Sequence, residues 1–281
     1  MEIVELRAAD GFELSAALFR PAAPNRRAVQ IHAAAGVRQE YYADFARFLA
    51  GRGFHVLTFD YRGVGRSAPR HVRDIEARMQ DWALLDAPAA LEFVAGEIKP
   101  SRHLVVGHSF GGQSVAVMPG NDRVHALLAV ASQSVYYGHW SGTRKLGLWM
   151  LTRVLLPAAT HAAGYFPGGR LPEGEDLPAG VALEWARWCQ HPRYLVGALG
   201  LEDRAAAFRA PLRLLSMADD VIYAPRAAAQ GLLDLYPNAR KEHLWIEPRE
   251  VGLERIGHFG FFRERSRAAL WEGAAAWLAR V

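Results

Sequence analysis

Residues 103–112 read His-Leu-Val-Val-Gly-His-Ser-Phe-Gly-Gly, and they are the most informative stretch of this sequence. The apolar run 104–106 predicts the end of a buried strand, and the run 113–118 can continue as a helix. Between them, Gly107, Ser109 and Gly111 fit the pattern Gly-x-Ser-x-Gly. A tight turn from strand to helix strains its apical serine, and glycines two residues away let strand and helix approach each other. We therefore predict a nucleophile elbow with Ser109 at its apex.

The overall composition is that of an ordinary globular protein. The chain has 281 residues, of which 51% are hydrophobic and 22% charged, so it can bury a large core. The apolar runs are too short to span a membrane, and the first residues have no secretory signal pattern. The single cysteine, Cys189, excludes an internal disulfide and fits a reducing compartment. We therefore expect a cytoplasmic protein.

The charge pattern argues against nucleic acid as a partner. The net charge is +4, but the basic residues are scattered among acidic ones and no nucleic-acid motif accompanies them. No His-Glu-x-x-His motif or Cys/His cluster predicts a metal site. We expect a small-molecule substrate as the partner, with no nucleic acid, membrane, metal or cofactor. The pattern does not predict the oligomeric state.

Strand and helix patterns alternate along residues 1–134 and again along residues 208–281. The predicted strands are 2–7, 12–19, 27–33, 54–59, 104–106, 124–132, 212–217 and 243–246. The predicted helices are 39–49, 82–98, 113–118, 226–236 and 263–280, with a kink at Pro88 or a start near Asp86 in the second. This alternation predicts an α/β fold with a mostly parallel central sheet flanked by helices.

The alternation is interrupted between residues 135 and 207, which are rich in aromatic residues and lack clear strand signals. Helical patterns cover residues 145–156 and 181–190. We interpret this segment as a helical cap inserted between strands, over a site at the strand ends. The alternative is that its aromatic residues form a second small core. As residues that line a substrate pocket we predict Trp140, Trp149, Trp185 and Tyr137.

A reactive serine needs a base and an acid that orients the base. In this fold the chain order is serine, acid, histidine. His258 follows the last predicted strand in a glycine-flanked loop and is the predicted base. Asp219 is the predicted acid, because it lies three residues after Ser216, a small residue that ends the predicted strand. The adjacent Asp220 is the competing candidate.

Acyl transfer also requires N–H groups that stabilise the oxyanion of the tetrahedral intermediate. Phe110, directly after the serine, and Ala34, in a small-residue loop after a predicted strand, are the predicted donors. We expect His32 to order that loop, and His108 to pack or hydrogen-bond locally.

Taken together, these residues resemble the α/β-hydrolase superfamily over essentially the whole chain. The motifs that carry the resemblance are the elbow 107–112, the turn 60–67, the acid at Asp219 and His258. Within the superfamily the chain is similar to bacterial predicted α/β hydrolases related to serine aminopeptidases and monoacylglycerol lipases, through residues 34–42, 183–189 and 256–263. The resemblance implies an α/β-hydrolase fold and a Ser-His-Asp triad. One departure is His32-Ala33, where many members have His-Gly.

The leading functional hypothesis is a serine hydrolase that cleaves a carboxylic ester or thioester of an apolar or aromatic substrate through an acyl-enzyme. An acyltransferase would use the same three residues. An aminopeptidase or amidase would need acids for the substrate ammonium, for which Glu173, Glu175, Asp176 and Glu184 are candidates. A non-catalytic ligand-binding protein of this fold is the alternative from a different class.

Overall fold

An eight-stranded sheet runs through the centre of the protein. The computed structural model describes residues 1–170 and 173–281. The strands of this sheet are β1 (Glu2–Arg7), β2 (Glu13–Phe19), β3 (Arg27–His32), β4 (His55–Phe59), β5 (Arg102–His108), β6 (Ala126–Val130), β9 (Pro211–Met217) and β10 (Arg240–Ile246). Their order is β1-β2-β4-β3-β5-β6-β9-β10. Only β2 pairs antiparallel, with β1 and β4, among the described strands of this sheet. The predicted α/β class with a mostly parallel sheet is confirmed.

Helices cover both faces of the sheet, as parallel strands require. They are α1 (Ala43–Ala50), α2 (Met79–Asp81), α3 (Ala87–Phe93), α4 (Phe110–Ser114), α5 (Gly142–Met150), α6 (Leu156–Ala163), α7 (Ala179–Trp188), α8 (Tyr194–Leu199), α9 (Glu202–Ala207), α10 (Arg226–Asp234) and α11 (Glu272–Arg280). The central strands are buried along their length; all five residues of β6, for example, are buried. This burial explains why their sequences are continuous apolar runs.

The α-helix that contains Pro88 begins at Ala87 with Asp86 as its N-cap, which agrees with the predicted start near Asp86. A π-helical segment, Trp82–Asp86, leads directly into α3, and Pro88 lies in the first turn of α3. The Ala87 N–H reaches back five residues to the Trp82 carbonyl. A proline is tolerated there because the widened turn does not need its missing N–H.

The chain between β6 and β9 contains five helices, α5–α9, and a short antiparallel ladder of β7 (Tyr165–Phe166) and β8 (Leu177–Pro178) among its described residues. The sequence pattern predicts no strand there. A small apolar cluster forms within this inserted segment around Leu156, Ala182 and Ala186. The division into a core (1–134, 208–281) and a cap (135–207) stays a prediction. Across residues 1–170 and 173–281, no helix has the length and hydrophobicity needed to cross a membrane.

Candidate active site

Ser109 lies in the sharp turn between β5 and α4. Its backbone has φ +50° and ψ −113°, a conformation that costs a non-glycine residue free energy. A Cβ on Gly107 would lie 2.4 Å from the Gly112 nitrogen, and one on Gly111 would lie 2.1 Å from the His32 oxygen. Both positions therefore require glycine. The strand, strained serine and helix predicted from residues 103–112 are all present.

His258 lies in the loop after β10 and is held by an acid from the loop after β9. Its Nδ1 is 2.6 Å from Asp220 Oδ2, and both side chains are buried. His258 Nδ1–H donates a hydrogen bond to the carboxylate, which leaves Nε2 able to accept a proton from a nucleophile. No hydrogen bond joins the Ser109 hydroxyl to His258 within the described part of the chain. Such bonds are often loose in free enzymes and tighten with substrate.

The prediction that Asp219 contacts His258 is wrong. Asp219 Oδ2 accepts the Ile256 N–H at 2.9 Å, and its Oδ1 accepts the Gly257 N–H at 2.9 Å. The physical reason is the path of the chain after β9, where the Ala218 N–H is still bonded to the Ile246 carbonyl and the Asp220 N–H closes a turn onto the Met217 carbonyl. The following turn then directs the second acid, not the first, to the imidazole.

The two predicted oxyanion donors differ in the structure. Phe110 is the first residue of α4, where an N–H has no partner within the helix. The Ala34 N–H instead donates to the Tyr42 hydroxyl at 2.8 Å, so the prediction that it is available is wrong. Ala35 is partly exposed, and its N–H has no hydrogen-bond partner in residues 1–170 and 173–281.

His32 orders the neighbourhood of the elbow. Its Nδ1 is 3.2 Å from the Ser114 hydroxyl, which donates to the Gly111 carbonyl at 3.0 Å. Its Nε2 is 2.7 Å from the Gln30 amide nitrogen. Burial lowers the pKa of His32 to about 3, so the ring is neutral near pH 7. This histidine connects the end of β3 with α4.

Of the four aromatic residues predicted to line the pocket, one is hydrogen-bonded to the loop that contains Asp220. Trp140 Nε1 donates to the Ile222 carbonyl at 3.1 Å, two residues after Asp220. Trp149 is 37% exposed, while Trp185 packs against both the main hydrophobic core and the small cluster around Leu156. Tyr137 packs against Tyr136, with their ring centroids 5.0 Å apart.

Sequence reasoning missed Tyr223, whose ring stacks on His258 with a centroid distance of 4.6 Å. The only signal was an aromatic residue three positions after Asp220. One face of the His258 imidazole is thus covered by an aromatic ring.

The four acids considered for ammonium binding all have partners. Glu175 pairs with Arg38 at 2.7 Å, and Glu173 pairs with Arg263. Asp176 and Glu184 accept backbone N–H groups at 3.0 and 2.7 Å, from Gly169 and Gln80 respectively. The Glu175 N–H also donates to the Gly36 carbonyl at 2.9 Å. Residues 173–178, which we call the strap, are therefore fastened over the small-residue loop.

Comparison with known proteins agrees with this geometry. The model of the alpha/beta hydrolase family matches residues 31–271. The chain belongs to this family. It is 33% identical over 133 residues to the quorum-quenching protein AidA of Acinetobacter baumannii, a match that spans 46% of this chain and 42% of that protein. The chain therefore matches less than half of that relative's length.

Solved structures are similar in fold across nearly the whole chain. A soluble variant of Saccharomyces cerevisiae monoglyceride lipase, in complex with a substrate analogue, has a TM-score of 0.68 and 14% identity, covering 100% of this chain and 95% of that one. A thermostable carboxyl esterase from Bacillus coagulans, in complex with glycerol, also has a TM-score of 0.68, with 12% identity and coverage of 100% and 98%. The predicted membership of the α/β-hydrolase superfamily is confirmed.

Proposed function

We propose that this protein is a serine hydrolase that cleaves carboxylic esters or thioesters of apolar substrates, with Ser109, His258 and Asp220 as its triad. The observation that carries the proposal is the 2.6 Å hydrogen bond between Asp220 and His258, formed beside the strained elbow of Ser109. Esterase and lipase names among the structural neighbours support the same reaction class.

In the first half-reaction, Ser109 Oγ attacks the acyl carbon while His258 Nε2 takes the hydroxyl proton. Asp220 stabilises the imidazolium that forms. The oxyanion accepts hydrogen bonds from the N–H groups of Phe110 and Ala35. His258 then returns the proton to the leaving alcohol or thiol as its bond to the acyl carbon breaks, which leaves an ester on Ser109.

In the second half-reaction, water attacks the acyl carbon of the Ser109 ester. His258 takes one proton from the water and passes it to Ser109 Oγ as the acyl–enzyme bond breaks. The products are a carboxylic acid and the free enzyme. An acceptor alcohol in place of water would make the same site an acyltransferase.

The surroundings of the triad favour an apolar substrate. Val221, Ile222 and Tyr223 directly follow Asp220 and are 44%, 68% and 46% exposed. Exposed apolar side chains of this size beside a reactive centre can take apolar surface of a substrate out of water. The paired acids of the strap argue against an aminopeptidase, because a substrate ammonium would have to displace Arg38 or Arg263.

The test is hydrolysis of a chain-length series of p-nitrophenyl esters, with and without an added alcohol. We expect the wild-type protein to cleave them and Ser109→Ala to lower kcat by a factor of about 10⁴ or more. Ser101→Ala, which changes an exposed serine directly before β5, at the opposite end of the strand from Ser109, is the matched control and should keep full activity. Inactivity of the wild-type protein on every ester and thioester, or equal activity of Ser109→Ala, contradicts the proposal.

A further inference from the structure

A buried chain of hydrogen bonds joins the loop after β3 to the loop of His258. The Ala34 N–H donates to the Tyr42 hydroxyl at 2.8 Å, and this hydroxyl lies 2.9 Å from His108 Nδ1. His108 Nε2 lies 2.9 Å from the backbone carbonyl of His258. Tyr42 and His108 are both fully buried.

Only one arrangement of protons satisfies this chain. The His258 carbonyl can only accept, so His108 Nε2 carries a proton and its Nδ1 accepts from the Tyr42 hydroxyl. The hydroxyl oxygen then accepts the Ala34 N–H. Burial lowers the pKa of His108 well below its usual 6.5 and raises the pKa of Tyr42 well above 10, so both groups keep these roles near pH 7.

The other backbone groups around His258 are also held. Asp219 accepts the N–H groups of Ile256 and Gly257, and the Tyr41 hydroxyl donates to the Phe259 carbonyl. His108 therefore supplies the bond at His258 itself. The same chain occupies the Ala34 N–H, which leaves the next N–H of the loop, that of Ala35, for a substrate.

We propose that Tyr42 and His108 are positioning residues. They hold the backbone of His258 in place, and they occupy the Ala34 N–H so that the Ala35 N–H serves as the second oxyanion donor. This inference rests on the proposed function. Neither residue touches the reacting atoms in this role; each acts through His258 or through the loop 34–36. If they act in this way, their substitution lowers kcat per titrated active enzyme molecule, and does not only reduce the amount of folded protein.

The test compares His108→Gln with His108→Leu. A glutamine amide offers an acceptor oxygen and a donor NH₂ group, so it can restore both bonds, whereas leucine restores neither. We expect His108→Leu to lower kcat by about 30-fold or more, because small displacements of catalytic groups are costly. We expect His108→Gln to stay within about threefold of the wild type and Tyr42→Phe to lose about tenfold.

Three readouts separate positioning from mere stability. They are kcat for each site titrated with a fluorophosphonate, KM for p-nitrophenyl acetate, and the thermal midpoint. Tyr194→Phe is the matched control, because Tyr194 is fully buried and its hydroxyl has no partner among residues 1–170 and 173–281. Its kcat for each titrated site should equal that of the wild type.

Two results would overturn the inference while the proposed function stands. One is equal kcat for each titrated site in wild type, His108→Leu and Tyr42→Phe. The other is His108→Gln as impaired as His108→Leu. A wild-type protein without activity on any ester would overturn the proposed function, and this inference with it.

Discussion

The frame around Ser109 and the inserted segment 135–207 are held in different ways. In the frame, His32, His108, Asp220 and His258 are buried and hydrogen-bonded. In the inserted segment, the continuous helical stretch 142–155, which we call the outer helix, exposes a row of apolar side chains, with Leu146, Leu155 and Val154 between 47% and 58% exposed. The strap is fastened by ion pairs of partly exposed side chains. A buried network fixes one geometry, whereas a partly exposed surface tolerates change.

We therefore expect the chemical step and the substrate preference to depend on different parts of the molecule. Because the buried hydrogen bonds of the frame hold each side chain in one position, substitutions there should lower kcat. Substitutions in the strap and outer helix should act on KM and on the preferred acyl chain.

The largest expected effect within the frame distinguishes two adjacent acids. Asp220→Asn should lower kcat/KM for a p-nitrophenyl ester by about 10³- to 10⁴-fold, because the amide no longer orients and stabilises the imidazolium. Asp219→Asn should cost only about tenfold, since it weakens backbone bonds to Ile256 and Gly257. Steady-state kinetics of both variants checks this, and the reverse order would move the triad acid to Asp219.

A second effect concerns the stability of the protein in acid and rests on His103, near the start of β5. Burial lowers the pKa of His103 to about 3, and its Nε2 lies 3.1 Å from the Gln30 amide oxygen. Below pH 6.5 the unfolded chain binds a proton at this residue while the folded chain does not, so the free energy of unfolding falls as the pH falls. Between pH 7 and pH 5 this loss is about 2 kcal/mol, and His103→Gln should remove it.

Urea unfolding at the two pH values measures that effect. Burial raises the pKa of Asp60 and of Asp86 to about 6, which changes stability in the opposite direction but equally in both proteins. His161→Gln, at an exposed position of the inserted segment, is the matched control for the His-to-Gln exchange itself. An unaltered pH dependence in His103→Gln contradicts a neutral buried His103.

The smallest effect is expected at the strap. Glu175→Gln removes the ion pair with Arg38 and should change KM for long-chain esters about two- to threefold, with kcat and thermal midpoint nearly constant. Glu2→Gln removes a comparable exposed pair, with Arg20, at the far edge of the sheet and should change neither constant. A large drop in kcat for Glu175→Gln would mean that the strap belongs to the frame.

The sequence predicted what depends on local pattern. The elbow follows from two glycines whose side-chain positions are filled by backbone, and the sheet follows from buried apolar runs. The acid was misassigned because the Ala218 N–H extends the pairing with β10 by one residue and the following turn directs Asp219 to the backbone of Ile256 and Gly257.

The oxyanion donor was misassigned for a similar reason. The Tyr42 hydroxyl reaches back eight residues to occupy the Ala34 N–H, and no spacing rule encodes that contact. Tyr223 and His108 likewise gain their roles only when distant loops meet at the strand ends.

Ser109 is the proposed nucleophile of this frame. Intact-protein mass spectrometry after treatment with a fluorophosphonate, followed by peptide mapping, tests it most directly. We predict one adduct per chain on Ser109, no adduct in Ser109→Ala, and much slower labelling in Asp220→Asn than in Asp219→Asn. An unlabelled wild-type protein, or an adduct that persists in Ser109→Ala, would contradict the account.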